Sequence, residues 1–396
     1  MKKIFSLLLV ITLILSFASC SGKSSDSEKL SEELNLPDKK VVIMVAPESQ
    51  YPEDYAAAKD IQQKYPDNVI VKEYSDSRIL VAGDPDIVTI SAEMAADETV
   101  GAIIYARATQ FTYTAISKVK SINSDIFTIA VEPEGNIDKV DEIADLLYVA
   151  DWGDYSKDIV DTAAKMGAEY FVFFSFDRHM GNNPLFAQIK NHLLDRCTDK
   201  SIEFIYENVQ DPNYAGGIEK AKYSIKQAVV NLYDNKKISG ENIALFSTDS
   251  SVQSTLVELA AKDNLIYVSP SFPTAYNGLN EYFDFTVPAD YKNIEGYISS
   301  VTEKLSADND NNGRFAIYNF PLASVLMKAS VYSAFDLLTD KSNEENVLDN
   351  ATVRAEDAAN FKKFKCEKYI NGEKVLECYA PEYTILKVEK TTVTEK

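Results

Sequence analysis

The chain has 396 residues, 45% of them aliphatic, aromatic or Cys and 26% charged, enough for two or three domains with a sizeable core. Collagen-like, coiled-coil and disordered classes are excluded for the body. Forty Lys and Arg against 61 Asp and Glu give a net charge of −21, which argues against nucleic acid and against a polybasic grip on anionic lipid.

Met1-Lys2-Lys3 is a short positive start, and Ile4 to Phe17 is a mostly apolar run too short to span a bilayer comfortably. Phe17-Ala18-Ser19-Cys20 follows, then a polar stretch. That is the layout of an export signal. Small residues before a Cys resemble the lipobox of bacterial lipoproteins, although Phe17 stands where the lipobox usually carries Leu. The resemblance implies cleavage after residue 19, acylation (palmitate) at Cys20, residues 20–38 as a flexible tether, and work outside the cytoplasmic membrane, lipid-anchored to it.

The body alternates strands and helices. Val41–Val45 is a continuous apolar run, as strands buried on both faces require. Pro52 opens a helix, Val69–Val71 is a strand, and Asp84-Pro85 pairs a cap with a first-turn proline. Ala102–Tyr105, a helix over 111–121, Ile126–Val131 and Leu146–Val149 complete a first series. After Asp151-Trp152-Gly153 a second series runs: a helix ending at Gly167, the strand Tyr170–Phe174, a helix over 184–197, the strand Phe204–Tyr206, a helix through Ile218 and Leu232, the strand Ile243–Phe246, a helix capped by Asp249 or Ser250, and Leu265–Val268. Tyr282–Val287 and helices near 290–305 and 321–338 read as hinge strands and covering helices. Cys366 and Cys378 lie almost symmetrically about Asn371-Gly372, a hairpin signal that would set the two thiols opposite each other for a disulfide. Cys197 would remain unpaired in a helix.

Such alternation predicts an α/β fold of two Rossmann-like doubly wound lobes joined by hinge crossovers. The expected boundaries are 1–19 signal peptide, 20–38 tether, 39–150 plus about 288–340 for the N-terminal lobe, 151–287 for the C-terminal lobe, and 341–396 as an extension with the hairpin.

Ligands of open α/β sheets bind beyond the carboxyl ends of the strands. The ligand-binding candidates there are Ser49, Gln50, Arg107, Thr109 and Glu132 in the first lobe. Asp151 and Trp152 stand at the hinge. Phe176, Arg178, His179, Asp211, Ser247, Thr248 and Asp249 belong to the second lobe. The set mixes hydrogen-bonding and aromatic groups, as a polar-solute site does. Each also has a plain structural reading: Ser49 and Ser247 to Asp249 as helix caps, Asp177-Arg178 as a local ion pair, Trp152 as hinge packing and His192 as a mid-helix residue. Phosphate-loop, dinucleotide, nucleophile-elbow and zinc-protease motifs do not occur. Asp308 to Gly313 has an EF-like start but Asn319 where the ligating Glu should be, so it reads as a solvated loop. No cofactor or metal is expected.

Ala164 to Met180 (AKMGAEYFVFFSFDRHM) and Ile243 to Asp249 (IALFSTD) resemble an uncharacterised bacterial lipoprotein family, a domain of unknown function with a type I periplasmic-binding-protein-like fold. Arg178, His179, Ser247 and Thr248 match its pattern, and Asp177 departs from it, where the family carries Pro. The resemblance implies two lobes, three hinge segments and a solute held between them. The expectation is an extracytoplasmic solute-binding lipoprotein, not an enzyme, that captures a small polar metabolite (a sugar, nucleoside or similar) for an ABC permease. A ligand sensor facing a membrane receptor is the alternative, and a hydrolase using the Asp177 to His179 region a third reading.

Overall fold

The computed structural model describes residues 34–48, 51–75, 86–107, 111–133, 137–182, 184–214, 216–269, 276–285, 294–306, 313–360, 363–369 and 372–387. The signal, Cys20 and most of the tether, Ser49, Gln50, Thr109 and the acidic loop at 308–312 lie outside them.

Strands β1 (Lys40–Val45), β2 (Val69–Glu73), β3 (Val100–Tyr105), β4 (Phe127–Val131) and β5 (Leu146–Ala150) alternate with helices α1 (Pro52–Lys64), α2 (Asp86–Ala95), α3 (Thr112–Ile122) and α4 (Ile137–Asp141). They form one parallel sheet in the order β2-β1-β3-β4-β5. The period of two along β1 divides its side chains between two cores. Val41, Ile43 and Val45 pack with Ala57, Ala58 and Ile61 of α1, while Val42 and Met44 pack with α2 and α3 through Ile87, Ala115 and Ile116. All five strand residues are fully buried, each worth roughly 1.5–3 kcal/mol relative to exposure.

Helix α5 (Trp152–Lys165) leads into the second lobe. There β6 (Tyr170–Ser175), β7 (Glu203–Asn208), β8 (Ile243–Ser247) and the short β9 (Ile266–Tyr267) pair in the parallel order β7-β6-β8-β9. Helices α6 (Asp177–Asn182), α7 (Pro184–Lys200), α8 (Gly217–Asp234) and α9 (Gln253–Asp263) connect them. Phe171 and Phe173 face the core shared with α5 and α7, and Val172 and Phe174 face α8 and α9. Gly167 follows α5 with φ +84°, a conformation glycine takes without a Cβ penalty.

Three expectations need correction. The segment 282–287 does not begin as a strand, since Tyr282 and Phe283 end helix α10 (Leu279–Phe283) and pack edge to face. Second, the region 288–340 is shared between the lobes. Helix α11 (Ile294–Ser306) buries Tyr297 and Val301 in the second lobe's core, and β10 (Ala316–Tyr318) adds Ile317 there. Among the described residues of this region, helix α12 (Leu322–Leu338) packs on the first sheet. Third, residues 341–396 are not a separate extension. Helix α13 (Val347–Ala359) covers α12, joined to it by the buried Arg354–Asp336 pair at 2.6 and 2.7 Å. Strand β11 (Lys365–Lys368) pairs with β12 (Val375–Tyr379), and β12 extends the first sheet in parallel beside β5. The period of these segments identifies their type but not the sheet whose uncovered face or edge they complete.

Cys366 and Cys378 are register partners across this hairpin, with Cα atoms 4.2 Å apart, and are joined as a disulfide. Cys197 is free and buried. Strand β13 (Tyr383–Ile385) returns to pair antiparallel with β10. The chain thus passes between the lobes three times, at β5–α5, β10–α12 and β12–β13. These crossovers lie side by side: the Asp151 N–H donates to the Cys378 carbonyl and the Asn319 N–H to the Glu382 carbonyl, both at 3.0 Å.

Candidate functional site

In a sheet ordered 2-1-3-4-5 the connections turn opposite ways on leaving strands 1 and 3, and a crevice opens between their carboxyl ends. Each lobe has one such crevice, at β1/β3 and at β6/β8. Candidate residues gather at both.

In the first lobe β3 runs out at Tyr105, and Arg107 follows in the left-handed region with φ 48°. Its guanidinium donates to Asp54 of α1 at 3.1 Å and lies over the Tyr51 ring, 4.8 Å from the centroid. Burial works against its charge, but Asp54, Tyr51 and Glu132 together outweigh that and hold the guanidinium protonated. Its Nε is buried without a hydrogen-bond partner among the described residues, a donor left over by a side chain that is otherwise engaged. Glu132 directly follows β4, also with positive φ, and accepts from the Ala150 N–H. Burial pushes its carboxyl up to about 7 against the opposing pull of Arg107 and of that N–H.

In the second lobe the Ser175 and Thr248 hydroxyls bond across the β6/β8 crevice at 3.0 Å. His179 Nδ1 lies 2.9 Å from Thr248 Oγ1, and its ring is sandwiched by Phe176 and Phe186 with centroids at 4.0 and 4.1 Å. Burial, with Arg178 beside it, drives the imidazole down to about 2, so it is neutral at working pH. Arg178 forks onto Asp211 at 2.9 and 3.2 Å and covers the Phe176 face at 4.9 Å. Asp249 accepts from the Ser251 N–H, and Gln253 Nε2 donates to the carbonyls of Ser247 and Asp249.

At the hinge Asp151 caps α5 by accepting from the Asp154 N–H at 2.8 Å, and Trp152 packs edge-on against Tyr155. Both residues also line a cavity of about 210 Å³ between the lobes.

The candidates therefore fall into three groups: Arg107 with Glu132, the hinge pair, and the second-lobe set. Sequence reasoning missed Asp54 and did not pair Tyr51 with Arg107, because nothing local ties positions 53 and 56 residues away. It paired Arg178 with Asp177, whereas Asp177 accepts from Asn208 and Arg178 reaches Asp211. Residues 177–182, between the expected strand at 170–174 and the expected helix at 184–197, are helical. His179 meets a hydroxyl rather than a carboxylate, so the geometry offers no triad. His192 lines the interlobe cavity.

Residues 39–316 match the family model described as Protein of unknown function (DUF3798). The chain belongs to that family. Two uncharacterized proteins of Treponema pallidum (strain Nichols) are similar to it over part of their length. One is 31% identical over 121 residues (30% of this chain, 55% of the relative), the other 29% over 117 residues (29% and 52%). The chain spans about half the length of these relatives. Among solved structures, a putative transcriptional regulator from Clostridium difficile 630 superposes with a TM-score of 0.66 at 16% identity, covering 89% of this chain and all of that one. A periplasmic ribose ABC transporter protein from Conexibacter woesei DSM 14684 gives 0.49 at 11% identity over 77% and 87%. The first likeness agrees with the strand orders: this member of the family has a two-lobed α/β fold of the type I periplasmic-binding-protein kind.

Proposed function

We propose that this DUF3798 protein is an extracytoplasmic solute-binding lipoprotein, held to the membrane through Cys20. Its lobes close on a small polar metabolite, a sugar, a nucleoside or a similar molecule, and deliver it to an ABC permease. One observation carries the reading: a charged, hydrogen-bonding and aromatic set stands at the switch-point crevice of each lobe, where strand polarity alone makes α/β sheets bind ligands. Arg107 brings a spare buried N–H over Tyr51 in one lobe. In the other, Arg178 over Phe176 uses two nitrogens on Asp211 and keeps further N–H donors. A neutral His179 and two hydroxyls suit an uncharged, hydroxyl-rich partner.

A metabolite-library thermal-shift screen tests this. A ligand at a hundred times its Kd stabilises by about 2.7 kcal/mol, an easily read shift. Arg107→Ala and Arg178→Ala should each cut the shift to half or less while the ligand-free protein stays folded. A ligand shift that survives unchanged in both variants would sink the assignment.

A further inference from the structure

The cavity between the lobes lies apart from the first lobe's switch-point crevice. Its first-lobe wall comes from β5, β12 and the start of α4, its second-lobe wall from α7, with Trp152 and Gly153 at the join. From β5 to the middle of the β1/β3 crevice is two and a half strand spacings, about 12 Å. Asp138, Asp151 and Glu377 line the cavity with Trp152, Tyr369 and His192, and no Lys or Arg does.

We propose that this cavity is a second binding site, one that accepts a small organic ammonium. Glu377 is the central observation. It is half-buried on β12, and its carboxylate has no ion-pair partner among the described residues; the charges that act on it are those of Asp151, Asp154 and Glu367, all of the same sign. Burial and that repulsion push it up to about 7. Lys157 and Lys365, the nearby cations, are engaged with Asp154, which is not in the lining. An uncompensated carboxylate facing a cavity is relieved by a cation entering it. The cation is organic rather than metallic. Among the described residues no three His, Cys, Asp or Glu side chains converge on a point a metal could occupy. The 210 Å³ has room for a small molecule, and Trp152 and Tyr369 in its lining are aromatic residues of the kind alkylammonium groups favour. Because the walls belong to both lobes, the ligand bridges them beside the hinge.

Trp152 is the sole tryptophan, so its fluorescence reports this cavity without labelling. The full chain is titrated with tetramethylammonium and with putrescine. Sodium chloride at equal ionic strength and neutral neopentyl alcohol are the controls. A saturable Trp152 response to an ammonium and to neither control is expected, weakened about tenfold or more by Glu377→Gln, which removes one charged partner. The response should persist in Arg107→Ala and in Arg178→Ala, so this site and the switch-point reading fail separately. No saturable response to either ammonium, an equal response to sodium or to the alcohol, undiminished binding in Glu377→Gln, or loss in both arginine variants would each overturn the proposal.

Discussion

Glu132 has 8% of its surface exposed and a carboxyl that burial pushes up from 4.5 to about 7. Between those two values the folded protein keeps a proton that the unfolded chain has released. Folding stability therefore falls as pH rises across that window, and the whole cost is present above pH 7. The cost is on the order of 3 kcal/mol. Glu377, pushed up to about the same value, acts in the same direction. Glu132→Gln keeps an acceptor for the Ala150 N–H and deletes the charge. Its stability gain over the wild type should appear at pH 8 and shrink to little at pH 4.5, as read by urea unfolding at both. A gain of equal size at the two pH values would place the linkage elsewhere. Part of this residue-scale picture is legible in the sequence. Arg107 and Glu132 are charges at the ends of apolar strands, which marks them as needing partners. The identity of those partners is not legible, because Asp54 reaches Arg107 from another helix. The positive φ of both residues, set by the sharp exit from the sheet, leaves no mark in composition either.

Helices α12 and α13 are joined by one fully buried ion pair. The Arg354 and Asp336 side chains retain 2% and 1% of their exposure. Such a pair adds little net stability over apolar residues, but losing one partner strands a charge in the core. Arg354→Met should cost about 3–5 kcal/mol. Adding Asp336→Leu should recover most of that loss, and urea unfolding of the two single variants and the double variant gives the coupling. A double variant as weak as the sum of the singles would mean that packing, not the orphaned charge, sets the cost. At this scale the strands were the clearest message, because VVIMV or YFVFFS can only be buried on both faces. Helix α12 shows what stays hidden. Its nearly all-buried sequence says that it is covered on all sides, yet not by which lobe, and the covering helix α13 follows it in the chain. The Cys366 to Cys378 hairpin was readable as a hairpin, but its place beside β5 depends on an edge that exists only once the first sheet has formed.

Across the whole molecule, three crossovers set what motion the lobes have. They are hydrogen-bonded to one another and padded by Tyr155, Tyr318 and Tyr383, whose ring centroids lie 5.2–6.3 Å apart. A packed hinge of this kind bends through a few backbone angles while each sheet moves as a rigid body. Under the proposed function, a solute draws the lobes together only by its preference for the closed state, and that preference comes from touching both crevices at once. Moving a population from nearly all open to nearly all closed takes a preference of about 10⁴. Arg178→Ala removes one charged hydrogen-bonding group, worth about 1.5–3 kcal/mol, and leaves the first lobe's crevice intact. The variant should still bind the solute found by screening, about 10- to 100-fold more weakly. At a concentration that saturates the wild type but not the variant, small-angle scattering should show a smaller radius of gyration for the wild type and only part of that contraction for the variant. Titrating the variant to saturation should then leave it with less contraction than the wild type, because part of the closed-state preference is gone. Full contraction of the saturated variant would mean that the first lobe's grip closes the cleft unaided, and that Arg178 serves affinity rather than closure.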